Sequence, residues 1–94
     1  MPMKKKTFRI NYDAPIVELD SHILGMRVRE CRKMRGISQE ELGLSINSSQ
    51  NSIYRIESGK NLASLYMLIR ICNALEFPIE VILKGYVITS STDE

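Results

Sequence analysis

Three side chains near the middle of the chain carry groups suited to pairing with the edge of a nucleic-acid base. They are Gln50, Asn51 and Arg55, all within residues 49–57. A Gln or Asn amide can form two hydrogen bonds with adenine, and an Arg guanidinium can form two with guanine. A good pair of this kind discriminates against the wrong base by about 1–3 kcal/mol. Their chemistry therefore indicates base recognition, provided that one surface presents all three.

Apolar spacing predicts a helix over residues 50–57 that would present them. Ile53 and Ile56 are three residues apart and define an inward face. Ser49 is a residue type that favours the N-cap position, and Gly59 is suited to end the helix. The side chains opposite the inward face are Asn51, Tyr54, Arg55 and Ser58. The alternative interpretation of this polar face is ordinary contact with solvent.

A second short helix is predicted just before it. Ser38 and Glu41 have the spacing of a capping box, in which each side chain bonds to the other residue's backbone amide. Gly43 would let a neighbouring backbone come close. Asn47 can adopt the left-handed conformation that a sharp turn requires. We therefore predict two helices joined by a tight polar turn.

The remaining patterns predict a mainly α domain of five helices with short flanking β-strands at both termini. The other helices are expected over residues 21–35, 64–75 and 79–83, and strands over residues 7–12 and 86–89, with a further extended piece at 16–19. In the fourth helix, one face is predicted to hold Leu65, Leu68, Ile69 and Cys72. The domain plan is an extended arm over 1–20, a helix-turn-helix domain over 21–84, and a strand and tail over 85–94.

Composition argues against several other classes of protein. One His and no nucleophile arrangement, carboxylate pair or metal-ligand cluster predict no enzyme activity, no cofactor and no metal site. Cys31 and Cys72 are expected to be core residues. Charged residues interrupt the apolar runs, so we expect a cytoplasmic protein with no membrane segment. Residues 1–35 carry a net charge of +5, and residues 36–94 carry one of −3. Two interpretations of the basic part are open: a surface that faces phosphates, or charges that are only solvated.

The segment over residues 24–75 resembles the Xre/Cro-like, or phage-repressor-type, helix-turn-helix family. The resemblance rests on LGMRVRECRKMRGISQEELG, the turn Ile46-Asn47-Ser48 and the run SQNSIYRIESGK. It implies a lambda-repressor-like DNA-binding domain of five helices, whose second and third helices form the helix-turn-helix. Ser48 departs from the pattern, because an apolar residue is usual after the turn.

The resemblance also implies roles for individual residues. Its DNA-binding positions correspond to Gln39, Ser49, Gln50, Asn51, Tyr54, Arg55, Lys60 and Asn61. Gln39 matches a phosphate-binding position at the start of the second helix, and Lys60 and Asn61 follow in a loop that usually meets phosphate. Arg32 and Glu57 match a structural ion pair between the first and third helices.

These features together predict a sequence-specific transcriptional regulator, interpreted as a repressor, that binds double-stranded DNA. One short recognition helix covers few base pairs, so we expect a homodimer on a palindromic operator with half-sites about 10 bp apart. The terminal strands, over residues 8–12 and 86–89, are the best candidates for the dimer surface: they are expected to pair within or between subunits, alone or together with the helix over 79–83. One alternative is an antitoxin that autoregulates its promoter and masks a toxin. Another is a protein-interaction module that kept the fold without the DNA contacts.

Overall fold

The computed structural model describes residues 8–10 and 20–88 and contains the five predicted helices. They are α1 (Ser21–Arg35), α2 (Gln39–Ser45), α3 (Gln50–Glu57), α4 (Leu65–Leu75) and α5 (Glu80–Lys84). Two short strands, β1 (Phe8–Ile10) and β2 (Tyr86–Ile88), flank them. The mainly helical fold is therefore confirmed. The extended piece predicted at residues 16–19, the remainder of the predicted arm and the tail beyond residue 88 lie outside the described residues.

The two strands pair with each other inside one chain. They are antiparallel, with Phe8 opposite Ile88, Arg9 opposite Val87 and Ile10 opposite Tyr86. An isolated pair of strands is only marginally stable in water, and here α5 packs against β1. β1 and β2 therefore come together beside α5.

Side-chain caps define where the first three helices begin. Asp20 caps α1 by accepting from the amide of Ile23 at 2.9 Å. The predicted capping box opens α2: Ser38 N donates to Glu41 Oε1 at 2.7 Å, and Glu41 N donates to Ser38 Oγ at 3.0 Å. Ser49 caps α3 by accepting from the amide of Ser52 at 3.1 Å. Each bond satisfies an amide that has no partner within its own helix.

One hydrophobic core holds the five helices together. Its completely buried members come from all five helices and include Val28, Cys31, Leu42, Ile53, Ile71, Val81 and Ile82. The predicted burial of both cysteines is confirmed, with Cys31 at 0% and Cys72 at 3% exposure. No described helix is both long enough and apolar enough to cross a membrane. The described residues also contain no group of three His, Cys, Asp or Glu side chains that could hold a metal ion.

The buried face of α4 differs from the predicted one. Leu68 and Cys72 are buried as expected, but Leu65 is 62% exposed and Ile69 is 41% exposed. Ile71 and Leu75 take their places in the core, so the inward residues are Leu68, Ile71, Cys72 and Leu75. Nearly the whole helix is apolar, so spacing alone did not define which stripe faces inward. The prediction was wrong for Leu65 and Ile69.

Three arginines of α1 bond within the molecule. Arg27 donates to the carbonyl of Ile82 at 2.7 Å, near the end of α5. Arg35 donates to the carbonyls of Leu75 and Glu76 at 2.6 and 2.9 Å, at the end of α4. The last carbonyls of a helix have no partner within the helix, and cationic side chains suit its C-terminus. Arg32 likewise bonds to Glu57 of α3, so three of the cationic side chains of α1 hold it to other helices.

Candidate nucleic-acid interface

A tight turn between α2 and α3 sets the angle at which α3 leaves the body of the domain. Asn47 has a φ of 57°, in the left-handed region that Asn tolerates better than most residues. The Ser48 amide donates to the Gly43 carbonyl at 2.7 Å. A Cβ atom added to Gly43 would lie 2.7 Å from the carbonyl carbon of Ser49. Gly43 therefore allows the backbone at the start of α3 to lie directly against α2, as its position in the sequence predicts.

The inward face of α3 packs against α1 as well as α2. Ile53 is completely buried and Ile56 nearly so, which confirms the predicted orientation of the helix. A Cβ atom on Gly25 would clash with the carbonyl oxygen of Ile56, so α1 also has its glycine where α3 comes closest. The Ser21 hydroxyl donates to the Gly59 carbonyl at 2.9 Å, which joins the start of α1 to the loop after α3. The side of α3 opposite these contacts is the one left exposed.

A buried ion pair fixes the end of α3 to α1. Arg32 Nε donates to Glu57 Oε2 at 2.7 Å, and Arg32 Nη2 donates to Glu57 Oε1 at 3.0 Å. Arg32 Nη1 also donates to the Ile37 carbonyl at 2.8 Å. The hydrogen bonds to Glu57 raise the pKa of the Arg32 guanidinium, which therefore remains charged although it is buried. A bidentate pair of this kind restricts both the position and the direction of α3.

Gln39 joins the same network from the first residue of α2. Its Nε2 donates to Glu57 Oε1 at 3.1 Å, on the oxygen that also accepts from Arg32. The side-chain nitrogen has two hydrogens, so one is used here and the second is available for another acceptor. One carboxylate thus connects α1, α2 and α3. The resemblance implies a phosphate contact for Gln39, and no pattern in the sequence predicts this bond to Glu57.

The outer face of α3 carries the residues singled out for base recognition. Gln50, Asn51 and Arg55 are exposed, as is Ser49, whose hydroxyl caps the helix. Tyr54 is 44% exposed and lies beside them. Neither the Gln50 nor the Asn51 amide bonds to another side chain among the described residues. The structure thus places the predicted base-reading groups on one surface.

The loop after α3 folds back onto Arg55. Lys60 N and Asn61 N both donate to the Arg55 carbonyl, at 2.9 and 3.1 Å. The Lys60 ammonium lies 5.3 Å from the centre of the Tyr54 ring, a cation–π distance. The Asn61 amide lies against the Arg55 guanidinium, with its oxygen 3.4 Å from Nη2. Lys60 and Asn61 therefore extend the exposed surface of α3 beyond its last turn.

A cleft of about 150 Å³ opens where α1, α2 and α3 meet. Its lining residues are Arg29, Gln39, Tyr54, Glu57 and Ser58. Arg29 is exposed and was not among the predicted site residues. Its spacing from Arg32, three residues along α1, was the available signal, because residues three apart share a helix face. The cleft places a further cation next to Gln39.

Comparison with known proteins supports the resemblance described above. A helix-turn-helix family model matches residues 28–82, which is more than half of the chain. The uncharacterized HTH-type transcriptional regulator YgzD of Bacillus subtilis is 33% identical over 54 residues, covering 57% of this chain and 82% of YgzD. The match includes all of α2, α3 and α4, the helices that build and support the exposed polar surface.

Solved structures show the same fold. The restriction-modification controller protein C.AhdI of Aeromonas hydrophila superimposes with a TM-score of 0.65 at 27% identity, over 67% of this chain and 91% of C.AhdI. The P22 c2 repressor, solved in complex with a synthetic operator, superimposes with a TM-score of 0.61 at 29% identity, over 66% of this chain and 94% of the repressor. The chain belongs to the Xre/Cro-like helix-turn-helix family of DNA-binding transcriptional regulators.

Proposed function

We propose that this regulator is a non-enzymatic repressor that binds a palindromic operator as a homodimer and recognises bases through residues 49–57. The observation that carries the proposal is the exposed face of α3, where Gln50, Asn51 and Arg55 share one surface. Their amide and guanidinium groups match the edges of adenine and guanine in the major groove. The P22 c2 repressor was solved bound to operator DNA, which supports the same use of the fold here.

Backbone contacts would come from residues at the edges of this face. Gln39 has one N–H left for a phosphate oxygen, and it stands at the N-terminus of α2, where the helix dipole favours an anion. Lys60 and Asn61 would contact phosphate from the loop after α3, with Ser49 and Tyr54 beside the base-reading residues. Contacts to phosphate set the register on the duplex, whereas contacts to base edges specify the sequence.

Selection of bound sequences from random duplex DNA tests the proposal directly. We expect an enriched inverted repeat with half-sites about one helical turn apart. Affinity should fall with salt at a log–log slope near −5 if a dimer touches about six phosphates. A correctly folded protein that selects no sequence at low ionic strength would refute base recognition and favour a protein-interaction module.

Substitutions at a base contact and at a phosphate contact distinguish the roles of Arg55 and Gln39. Arg55→Ala should relax the preference at one base pair of each half-site, by about 1–3 kcal/mol for each contact. Gln39→Ala should weaken binding to every duplex by a similar factor and should also make the salt slope less steep. Equal losses on all sequences from both variants would contradict this division.

We assign the dimer surface to the exposed apolar face of α4, formed by Leu65, Tyr66 and Ile69, together with Leu62 in the loop that precedes the helix. Leu62, Leu65 and Tyr66 are each more than 60% exposed, and residues three and four apart on a helix are neighbours. Contiguous exposed apolar surface of this kind marks interfaces. The terminal strands pair within one chain, so their pairing does not require a second copy. We therefore prefer this face to the terminal strands, whose pairing within one chain is one of the two arrangements expected from sequence.

Light scattering on two matched variants tests this surface. Tyr66→Glu adds a charge to the face and should shift the protein toward monomer. Leu44→Glu makes the same kind of change at an exposed residue of α2 and should leave the mass unchanged. A truncation lacking residues 1–19 should remain dimeric. If the dimer persists in Tyr66→Glu but dissociates on truncation, the dimer interface lies in the N-terminal arm and not on α4.

A further inference from the structure

We propose that Asn61 is a positioning residue for base recognition: its side-chain oxygen holds the Arg55 guanidinium in the orientation that reads guanine. The proposal rests on the function proposed above and assigns Asn61 a role beyond phosphate contact. It follows from the way the loop after α3 is bonded to Arg55 itself.

The backbone of the loop brings Asn61 to Arg55. The Arg55 carbonyl accepts from the amides of both Lys60 and Asn61, at 2.9 and 3.1 Å. Gly59 has a φ of 79°, a left-handed conformation that turns the chain back toward α3. The Gly59 amide donates to the Ile56 carbonyl at 3.1 Å and closes the same turn. Asn61 is therefore held beside Arg55 by main-chain bonds, independently of its side chain.

The side chain of Asn61 then bonds to the guanidinium. With the amide oriented so that each polar atom faces a complementary partner, its oxygen accepts from Arg55 Nε at 3.1 Å. In that orientation its nitrogen donates to the Lys60 carbonyl at 3.0 Å. With the amide reversed, its oxygen accepts from Arg55 Nη2 at 3.4 Å. In both orientations Asn61 accepts from Arg55, and the first also anchors Asn61 to its own loop.

This contact suits a residue that prepares Arg55 for a base. A bond at Nε leaves the two terminal nitrogens free to pair with the O6 and N7 atoms of guanine. An arginine held in place before binding loses less side-chain freedom when the complex forms. An amide is also neutral, so it orients the guanidinium without cancelling the positive charge that attracts DNA. A carboxylate at this position would orient Arg55 but repel the duplex.

A double-mutant cycle on base discrimination tests the proposal. Anisotropy titrations would compare the selected operator with duplexes substituted at the base pair whose preference Arg55→Ala relaxes. Asn61→Ala should lower discrimination there by about fivefold, a fraction of what a bidentate pair supplies. In the Arg55→Ala background it should cause no further loss of discrimination, because Asn61 affects base choice through Arg55. Lys60→Ala is the matched control and should weaken all duplexes alike, with the salt slope reduced by about 1.

The outcomes separate this inference from the function on which it rests. A wild-type protein without any sequence preference would contradict both the proposed function and the role of Asn61. If Arg55→Ala relaxes the preference but Asn61→Ala weakens every duplex equally, Asn61 is only a phosphate contact and the inference is wrong. A loss of discrimination from Asn61→Ala that persists without Arg55, or an equal loss of discrimination from Lys60→Ala, would also overturn it. Asn61→Leu, similar in size but without an acceptor, repeats the test if the alanine variant folds poorly in circular dichroism.

Discussion

Helices α3 and α4 both bury one side in the same core, yet their exposed sides have opposite chemistry. The exposed side of α3 carries amides and a guanidinium, whereas that of α4 carries Leu65, Tyr66 and Ile69. Their anchors differ too. Four apolar residues hold α4 in the core, while α3 buries only Ile53, Ile56 and the charged Glu57. A short, mostly polar helix has little apolar surface to bury, so a buried ion pair supplies much of its orientation.

The contrast indicates that the exposed surfaces of α3 and α4 suit different kinds of binding partner. A rigid polar face can match a pattern of donors and acceptors only if its direction is fixed, because hydrogen bonds weaken steeply when misaligned. An apolar face has no such directional requirement and gains free energy wherever it leaves water. The contrast supports the proposal that α3 contacts DNA and α4 contacts a second subunit, and the following experiments test that proposal.

The largest effect should come from removing the anchor of α3. Glu57→Ala leaves the Arg32 guanidinium buried without its partner, and loss of one member of a buried ion pair lowers the free energy of unfolding by about 3–5 kcal/mol. Urea unfolding followed by circular dichroism measures the change. Glu40→Ala removes an exposed carboxylate from α2 and should change stability by less than about 0.5 kcal/mol. Similar losses from both variants would mean that the ion pair does not anchor α3.

A smaller effect is expected where α2 meets the start of α3. Gly43→Ala places a Cβ atom against the backbone of Ser49, which cannot move aside like a flexible side chain. We expect a stability loss of about 1–3 kcal/mol, with weaker operator binding by the protein that remains folded. Gly36→Ala strains a left-handed residue by about 1–2 kcal/mol but meets no atom within 4 Å, so it should leave operator affinity unchanged. If both variants bind operator equally well, the close contact between α2 and α3 does not set the angle at which α3 is presented to DNA.

Measuring both base preference and mass on a variant of each face tests whether the faces of α3 and α4 act separately. Arg55→Ala should reduce base preference by about 1–3 kcal/mol and leave the mass by light scattering unchanged. Tyr66→Glu should lower the mass and the overall operator affinity, while a half-site duplex retains its preferred bases. Selection experiments on each variant provide the measurement. A change of base preference in Tyr66→Glu would show that the two faces are not separate.

The smallest effect concerns Cys72, on the buried side of α4. Burial raises the pKa of its thiol from an ordinary value near 9.0 to about 11, because the thiolate loses its hydration. The unfolded thiol therefore deprotonates first, and the free energy of unfolding should fall between about pH 9 and pH 11. Between pH 7.5 and pH 10, urea unfolding should show a fall in the free energy of unfolding that is larger by up to about 1.4 kcal/mol than the fall in Cys72→Ala. An equal fall in both proteins would mean that Cys72 does not contribute.

Local signals in the sequence were sufficient for the helices of the motif. Ser38 and Glu41 predict a capping box because each bonds to a backbone three residues away, and the structure forms both bonds. Ile53 and Ile56 predict the inward face of α3 because the helix has few other apolar residues. The buried face of α4 was mispredicted for the opposite reason. Leu65 and Ile69 are as apolar as the residues that are buried, so position in the fold decided between them.

The sequence by itself determined the number of helices, the turn and the polar chemistry of α3, because caps, glycines and apolar spacing act over a few neighbouring residues. Only the tertiary structure decided how distant side chains are used. Arg27 and Arg35 bond to the ends of helices more than 35 positions away, and Gln39 shares Glu57 with Arg32. Whether a charge meets solvent, DNA or a carbonyl depends on which elements pack beside it, and packing is a property of the whole chain.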